Sequence, residues 1–191
     1  MRFTENDTAW LTVRLAIQRN VASTTGAAIG VGYGVETEPA LAASGAVAAT
    51  NYVGFHIDGT QATYDWNLVS KRSDGSKATS QSAGFTTLNS TENTAISYWE
   101  HLGIRIDPVD FSDNDNNGTA TFYRWESGDW VSKGSIADYL PHGTASTADS
   151  VLMVPVLDTV YVSGTARAPE LMIDQICYGK NRTQYTGGAE P

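Results

Sequence analysis

Apolar residues in this chain recur at every second position, and that periodicity decides more about its fold than any other feature. Over residues 10–18, Leu11, Val13, Leu15 and Ile17 fall on one side, with Thr12, Arg14, Ala16 and Gln18 on the other. This is the mark of a half-buried strand. Residues 27–35 repeat it, with Ile29, Val31, Tyr33 and Val35 opposite Gly30, Gly32 and Gly34. A strand with a bare glycine face lets another backbone or a bulky side chain approach closely. Val53, Phe55 and Ile57 alternate with Gly54 and His56 up to an Asp58-Gly59 turn, and Leu102, Ile104 and Ile106 alternate with His101, Gly103 and Arg105.

Weaker strand patterns cover residues 66–71, a Ser/Thr-rich edge segment after the Ser73-Asp74-Gly75-Ser76 turn, and residues 119–125, 151–159 and 171–178. Ser127-Gly128-Asp129 reads as a turn leading into Trp130, and Pro155 puts its strand at an edge or a bulge. Residues 136–140 suggest a single helical turn. About ten short strands at spacings of roughly 8–15 residues, with no amphipathic helix between them, predict an all-β protein built as an antiparallel sandwich or barrel. With no heptads, internal repeat or long linker, the whole chain, 1–191, is expected to form one domain, its core spanning roughly 10–180 between short terminal arms.

Composition decides whether such a chain folds at all. Leu, Ile, Val and Phe number only 38 and the formal net charge is −9, which borders on the composition of disordered chains. Five Trp and nine Tyr restore the balance, since each aromatic buries on the order of 150–250 Å². The β-favouring residues Val, Ile, Thr, Tyr, Phe and Trp total 64, which excludes helical bundles and coiled coils.

Four Lys and eight Arg, with no basic cluster beyond Lys71-Arg72, exclude the electrostatic footprint of a nucleic-acid binder and of a protein held at an anionic membrane. No apolar run approaches the ~20 residues of a membrane span, and Met1-Arg2-Phe3-Thr4-Glu5 does not begin a secretory signal. Without secretion, the sequons at Asn6, Asn89, Asn117 and Asn181 carry little weight. The single Cys177 forbids an internal disulfide, leaving stability to packing or to partner subunits. It alternates with apolar neighbours and reads as a small core or sheet residue.

Candidate chemistry is sparse, and no catalytic, cofactor-binding or metal-binding residue is assigned. Residues 113–118, Asp-Asn-Asp-Asn-Asn-Gly, match the first half of a calcium loop, but the twelfth position, where a bidentate Glu belongs, is Arg124. An Asn/Asp-rich turn is the simpler reading. Glu36 and Glu38 are the nearest approach to a glycosidase carboxylate pair, yet Pro39 follows at once and position 40 is Ala40. His56, His101 and His142 lack metal-binding spacing, and the first two fall on polar strand faces, where solvated imidazoles are expected. Gly30-Val31-Gly32-Tyr33-Gly34 lies inside a β pattern, where it is no phosphate loop. Trp66, Trp99, Trp125 and Trp130 are read first as core, and as sugar-stacking platforms if Trp125 and Trp130 prove exposed on one surface.

The order of segments "AWLTVRLAI", "AIGVGYGVETEP", "YVGFHID", "WNLVSKRSDGS", "YWEHLGIRID", "NGTATFYRWESGDWV" and "LMIDQICYG" resembles the concanavalin A-like, laminin-G-like jelly rolls among structural proteins of tailed-bacteriophage virions. The resemblance runs over almost the whole chain, in strand and turn chemistry and not in catalytic signatures. It implies an antiparallel jelly-roll β-sandwich and a non-enzymatic capsid decoration or cement protein on the virion exterior. Its partners would be the major capsid protein or other virion proteins and sister subunits in a homo-oligomer, contacted through edge strands, glycine faces and the Ala-rich residues 39–50. The acidic balance suits an exterior place. The alternative is a carbohydrate- or receptor-binding module of a tail fibre, and a glycan-cleaving enzyme is the third reading, since one fold serves many functions.

Overall fold

The computed structural model describes residues 7–17, 27–58, 65–72, 77–86, 99–107, 118–141, 153–162 and 171–182. These form ten strands: β1 (Asp7–Ile17), β2 (Ala27–Val35), β3 (Tyr52–Ile57), β4 (Asp65–Arg72), β5 (Lys77–Thr86), β6 (Glu100–Asp107), β7 (Thr119–Glu126), β8 (Asp129–Ile136), β9 (Met153–Tyr161) and β10 (Leu171–Arg182). They pair antiparallel into two five-stranded sheets, ordered β10-β1-β6-β7-β8 and β5-β4-β3-β2-β9. The architecture is a jelly-roll-like antiparallel β-sandwich, as the alternating pattern requires.

The inward faces are those the periodicity marks. Leu11, Val13, Leu15 and Ile17 of β1 meet Ile29, Val31 and Tyr33 of β2, with Phe55, Trp66 and Phe122 filling the middle of one continuous core. Phe55 is its hub, meeting Trp66, Phe85 and Phe122 edge to face at centroid distances of 5.9, 6.4 and 5.2 Å. Polar ties cross between the sheets. The Tyr33 hydroxyl donates to the Trp10 carbonyl at 2.7 Å, and Trp66 Nε1 donates to the buried Glu100 carboxylate at 2.8 Å.

The glycine face of β2 is the surprise. Residues 36–50 fold back over it. Ala40, Leu41 and Ala49 pack with Ala28, Tyr52 and Val69 into a second apolar layer on the outer side of the second sheet. The physical reason is space: a Cβ at Gly30 would lie 3.3 Å from Leu41 Cδ2, and the gap it leaves is what admits the leucine. Backbone bonds Ala42 N to Ala46 O and Ala48 N to Ala40 O, with Gly45 at φ 83°, close the loop on itself.

Two local readings need correction. Residues 136–140 make no helical turn: Ile136 ends β8, and the chain bends through Tyr139 at φ 57°, whose carbonyl accepts from Ser70 Oγ at 2.7 Å. His56 is not solvated but 7% exposed, because the folded-back loop covers it. Its Nε2 lies 2.8 Å from the Gly45 carbonyl, so the neutral ring donates there and pins the loop.

That burial holds the His56 pKa below its ordinary 6.5, against the opposing pull of the Gly45 bond and the Asp58 charge. In the unfolded chain the ring takes its proton near 6.5, and in the folded chain only at lower pH. The unfolded state therefore binds more protons between those values. The stability tied to a neutral His56 is complete above pH 6.5 and is lost as pH falls toward the folded value. Thermal melts at pH 7.5 and 5.5 should show a lower midpoint at 5.5, and His56→Gln should flatten part of that difference. An unchanged difference would exclude His56 as its source.

Candidate functional site

The exposed face of the first sheet carries the arrangement richest in chemistry. It starts from a hairpin: Glu126 pairs with Asp129, leaving Ser127 and Gly128 as a two-residue loop, both at positive φ (54° and 94°). That is the primed turn matching the twist of adjacent strands, and it puts Trp125 directly opposite Trp130. Neither fills the core. Trp125 is 42% and Trp130 37% exposed, on the same surface, with ring centroids 5.4 Å apart in an edge-on arrangement.

Trp130 reaches inward across β7. A Cβ at Gly103 of β6 would lie 3.1 Å from its Cζ3, so the glycine is the seat of the indole. His101, two residues earlier on the same face of β6, lies near-parallel to Trp130 at 6.3 Å and edge-on to Trp125 at 6.5 Å. The expectation of a solvated His101 is corrected for that reason: two rings from neighbouring strands enclose it. Its Nε2 is shielded from water and is the one buried side-chain polar atom without a partner among the described residues. Desolvation first, and then the Arg14 charge, holds its pKa below the ordinary value, so the ring is neutral at neutral pH.

Strand register extends the feature sideways. Arg14 of β1 stands opposite both His101 and Gln175 of β10. Gln175, Arg14, His101, Trp125 and Trp130 therefore make a transverse line over all five strands, which at about 4.8 Å per strand step is about 19 Å long. Arg14 donates to Asp174 at 2.7 Å and stacks over Trp99 at 5.1 Å. Further along the outer face of β6, Arg105 pairs with Asp107 at 2.8 Å. Each guanidinium is charge-compensated yet keeps unused donors.

The other sequence candidates scatter. Trp66 is core, and Trp99 lies beneath Arg14. Glu36 and Glu38 fall in the turn after β2 and share no strand face, and Glu38 is occupied in accepting from the backbone and hydroxyl of Thr50 at 2.7 and 2.9 Å. Cys177 stands on the edge strand β10, half-buried, accepting from Gln175 Nε2 at 3.2 Å. Residues 113–117 and His142 lie outside the described residues, as do the sequons at Asn6, Asn89 and Asn117. Among the described residues, no three His, Cys, Asp or Glu side chains gather as metal ligands, and no helix is long and apolar enough to cross a membrane.

Sequence reasoning missed Glu100. It is buried on the inner face of β6, held by Trp66 and 3.8 Å from Arg124, which binds Glu126 at 3.2 Å and stacks 4.5 Å over Phe85. Lys133 completes the chain at 2.7 Å from Glu126, and its hydrogen bond holds the Glu126 pKa below the usual carboxylate value. These groups are satisfied by one another and brace the sheets.

A second exposed feature is the free edge of the first sheet. On β10, Tyr178, Ile176 and Ile173 stand opposite the core residues Leu11, Val13 and Leu15, yet are 55, 39 and 48% exposed. They prolong the core beyond the sandwich margin. Tyr161, on the edge strand β9 of the other sheet, is also exposed.

No family model matches the chain, and no curated protein is similar to it. Among solved structures, the marine PL-14 alginate lyase from Aplysia kurodai aligns over 91% of this chain and 72% of its own, at 10% identity and a TM-score of 0.48.

Proposed function

We propose that this chain is a non-enzymatic virion structural subunit, a decoration or cement protein of a capsid exterior that works through protein contacts. The observation that carries this reading is the apolar row of Ile173, Ile176 and Tyr178 on a twelve-residue edge strand. A long edge offers a line of unpaired backbone donors and acceptors, and soluble monomers blunt such edges with charge, proline or bulges. The other sheet places Pro155 on its edge strand β9. β10 carries a register shift between Arg14 and Leu15 of its partner, but keeps large apolar side chains on the side facing the core.

The fitting occupant is a second copy of the chain. Two β10 strands joined antiparallel about a twofold axis would continue the sheet from one subunit into the next and cover both apolar rows, an isologous contact. The resemblance of the strand order to virion jelly rolls supplies the setting, and the net charge of −9 suits a surface turned away from packaged nucleic acid.

Light scattering of the purified chain should return a dimer or larger oligomer, and Ile176→Lys with Tyr178→Lys should return a monomer with an unchanged melt. Particles lacking the protein should capture the parent chain on co-sedimentation and fail to capture the double variant. A monomeric parent chain, or capture indifferent to the two lysines, would refute this use of β10.

A further inference from the structure

The outer face of the first sheet has no part in that assembly contact, and its chemistry is of another kind. We infer that the surface formed by Trp130, Trp125 and His101, bordered by Arg14–Asp174 and Arg105–Asp107, is a binding site for a neutral pyranose oligosaccharide. The inference goes beyond the assembly role and stands without it.

Three observations converge. The first is the seat of Trp130. Gly103 leaves a recess that the indole occupies, at a Cβ distance of 3.1 Å, while 37% of the residue remains open to solvent. A large ring fixed by its surroundings and exposed on one side presents contact area at little cost in conformational entropy. A pyranose offers the matching surface, a face of C–H groups rimmed by hydroxyls.

The second is the polar border. Arg14 and Arg105 each hold a carboxylate, at 2.7 and 2.8 Å, so their orientation is set before any ligand arrives. A guanidinium carries five donors and a carboxylate about four lone-pair sites, so each pair keeps donors and acceptors for adjacent hydroxyls. The two arginines and two aspartates sum to zero charge. In a chain of net charge −9, such a surface selects against polyuronates and sulfated glycans and in favour of neutral sugars.

The third is His101 Nε2, buried beside the rings and without a partner among the described residues. An unsatisfied buried group in a folded protein calls for an explanation. A donor or acceptor offered by a ligand hydroxyl at this ring margin would satisfy it. The line from Gln175 to Trp130, about 19 Å long on strand spacing, provides room for several sugar rings in a row.

The test titrates the full chain with neutral oligosaccharides of glucose, galactose, mannose and N-acetylglucosamine, with an oligouronate as the anionic control, followed by calorimetry and tryptophan fluorescence. Binding of at least one neutral oligosaccharide, with a change in tryptophan emission, is expected. Trp130→Ala and Gly103→Val should each weaken it at least tenfold, the second by lifting the ring from its seat. Arg105→Gln should weaken it by a smaller factor. Thermal melts and light scattering of the variants separate loss of the site from loss of fold or assembly. The inference is overturned if no neutral sugar binds, if the oligouronate binds best, or if affinity is unchanged in well-folded Trp130→Ala. Retention of a proline-rich peptide or of a second copy in place of sugar would overturn it equally.

Discussion

Trp66→Ala should lower stability by about 3–5 kcal/mol, the cost of emptying a large buried aromatic site. For a chain of this size that is a fall in melting temperature on the order of 6–20 °C. Two effects combine. Removing the ring opens a hole beside Phe55, whose edge-to-face partner at 5.9 Å is lost. It also removes the Nε1 donor from Glu100, a carboxylate shut between the sheets with Arg124 at 3.8 Å. A buried charge stripped of a partner is costly in itself. Trp66→Phe separates the terms, since it keeps much of the volume and deletes only the donor, at about 1–3 kcal/mol. If Trp66→Ala melted within a degree or two of the parent chain, the core would not be organised as described.

Gly32→Ala is expected to be nearly as damaging, although it adds a single methyl group. The new Cβ would lie 2.3 Å from the Val53 carbonyl oxygen and 2.6 Å from Gly54 Cα, both backbone atoms of the paired strand. No side-chain rotation relieves such a contact, so β2 and β3 would have to part. Overpacking a core costs about 1–3 kcal/mol when neighbours can shift, and this lies at the upper end or beyond. Gly30→Ala is the control on the same strand. Its nearest neighbour is a leucine side chain at 3.3 Å, which can give way, so the loss should be well under half as large. Chemical denaturation of the two variants ranks them directly, and equal midpoints would refute the close strand contact.

Much of the fold was legible because period-two alternation reports burial directly. β1, β2 and β6 bury the residues their patterns select, and Pro155 does stand on an edge strand. Tertiary contacts unreadable from local pattern account for the rest. His56 sits on the polar face of β3, and only the return of residues 36–50 buries it. His101 has the same local pattern and becomes half-buried for another reason, the meeting of two tryptophans that come from β7 and β8. Trp125 and Trp130 flanking Ser127-Gly128 was the one signal of an aromatic surface in the sequence. Its completion by Gly103 and Arg14 depends on strand order and register, which no single segment encodes. Residues 136–140 misled because a bend at Tyr139 satisfies its carbonyl through Ser70, a residue 69 positions away in sequence.

The loop folded over the glycine face also divides the two sheets by mutability. β3 lies between two apolar layers, and all six of its residues are buried. Its amides should be among the slowest in the chain to exchange with deuterium, and its sequence should tolerate almost no change. Among the described residues no such cover lies over the aromatic line on the outer face of the first sheet, so substitutions there leave the core untouched. One sheet thus carries the doubly covered chassis of the molecule, and the other presents a surface whose substitution leaves that chassis intact.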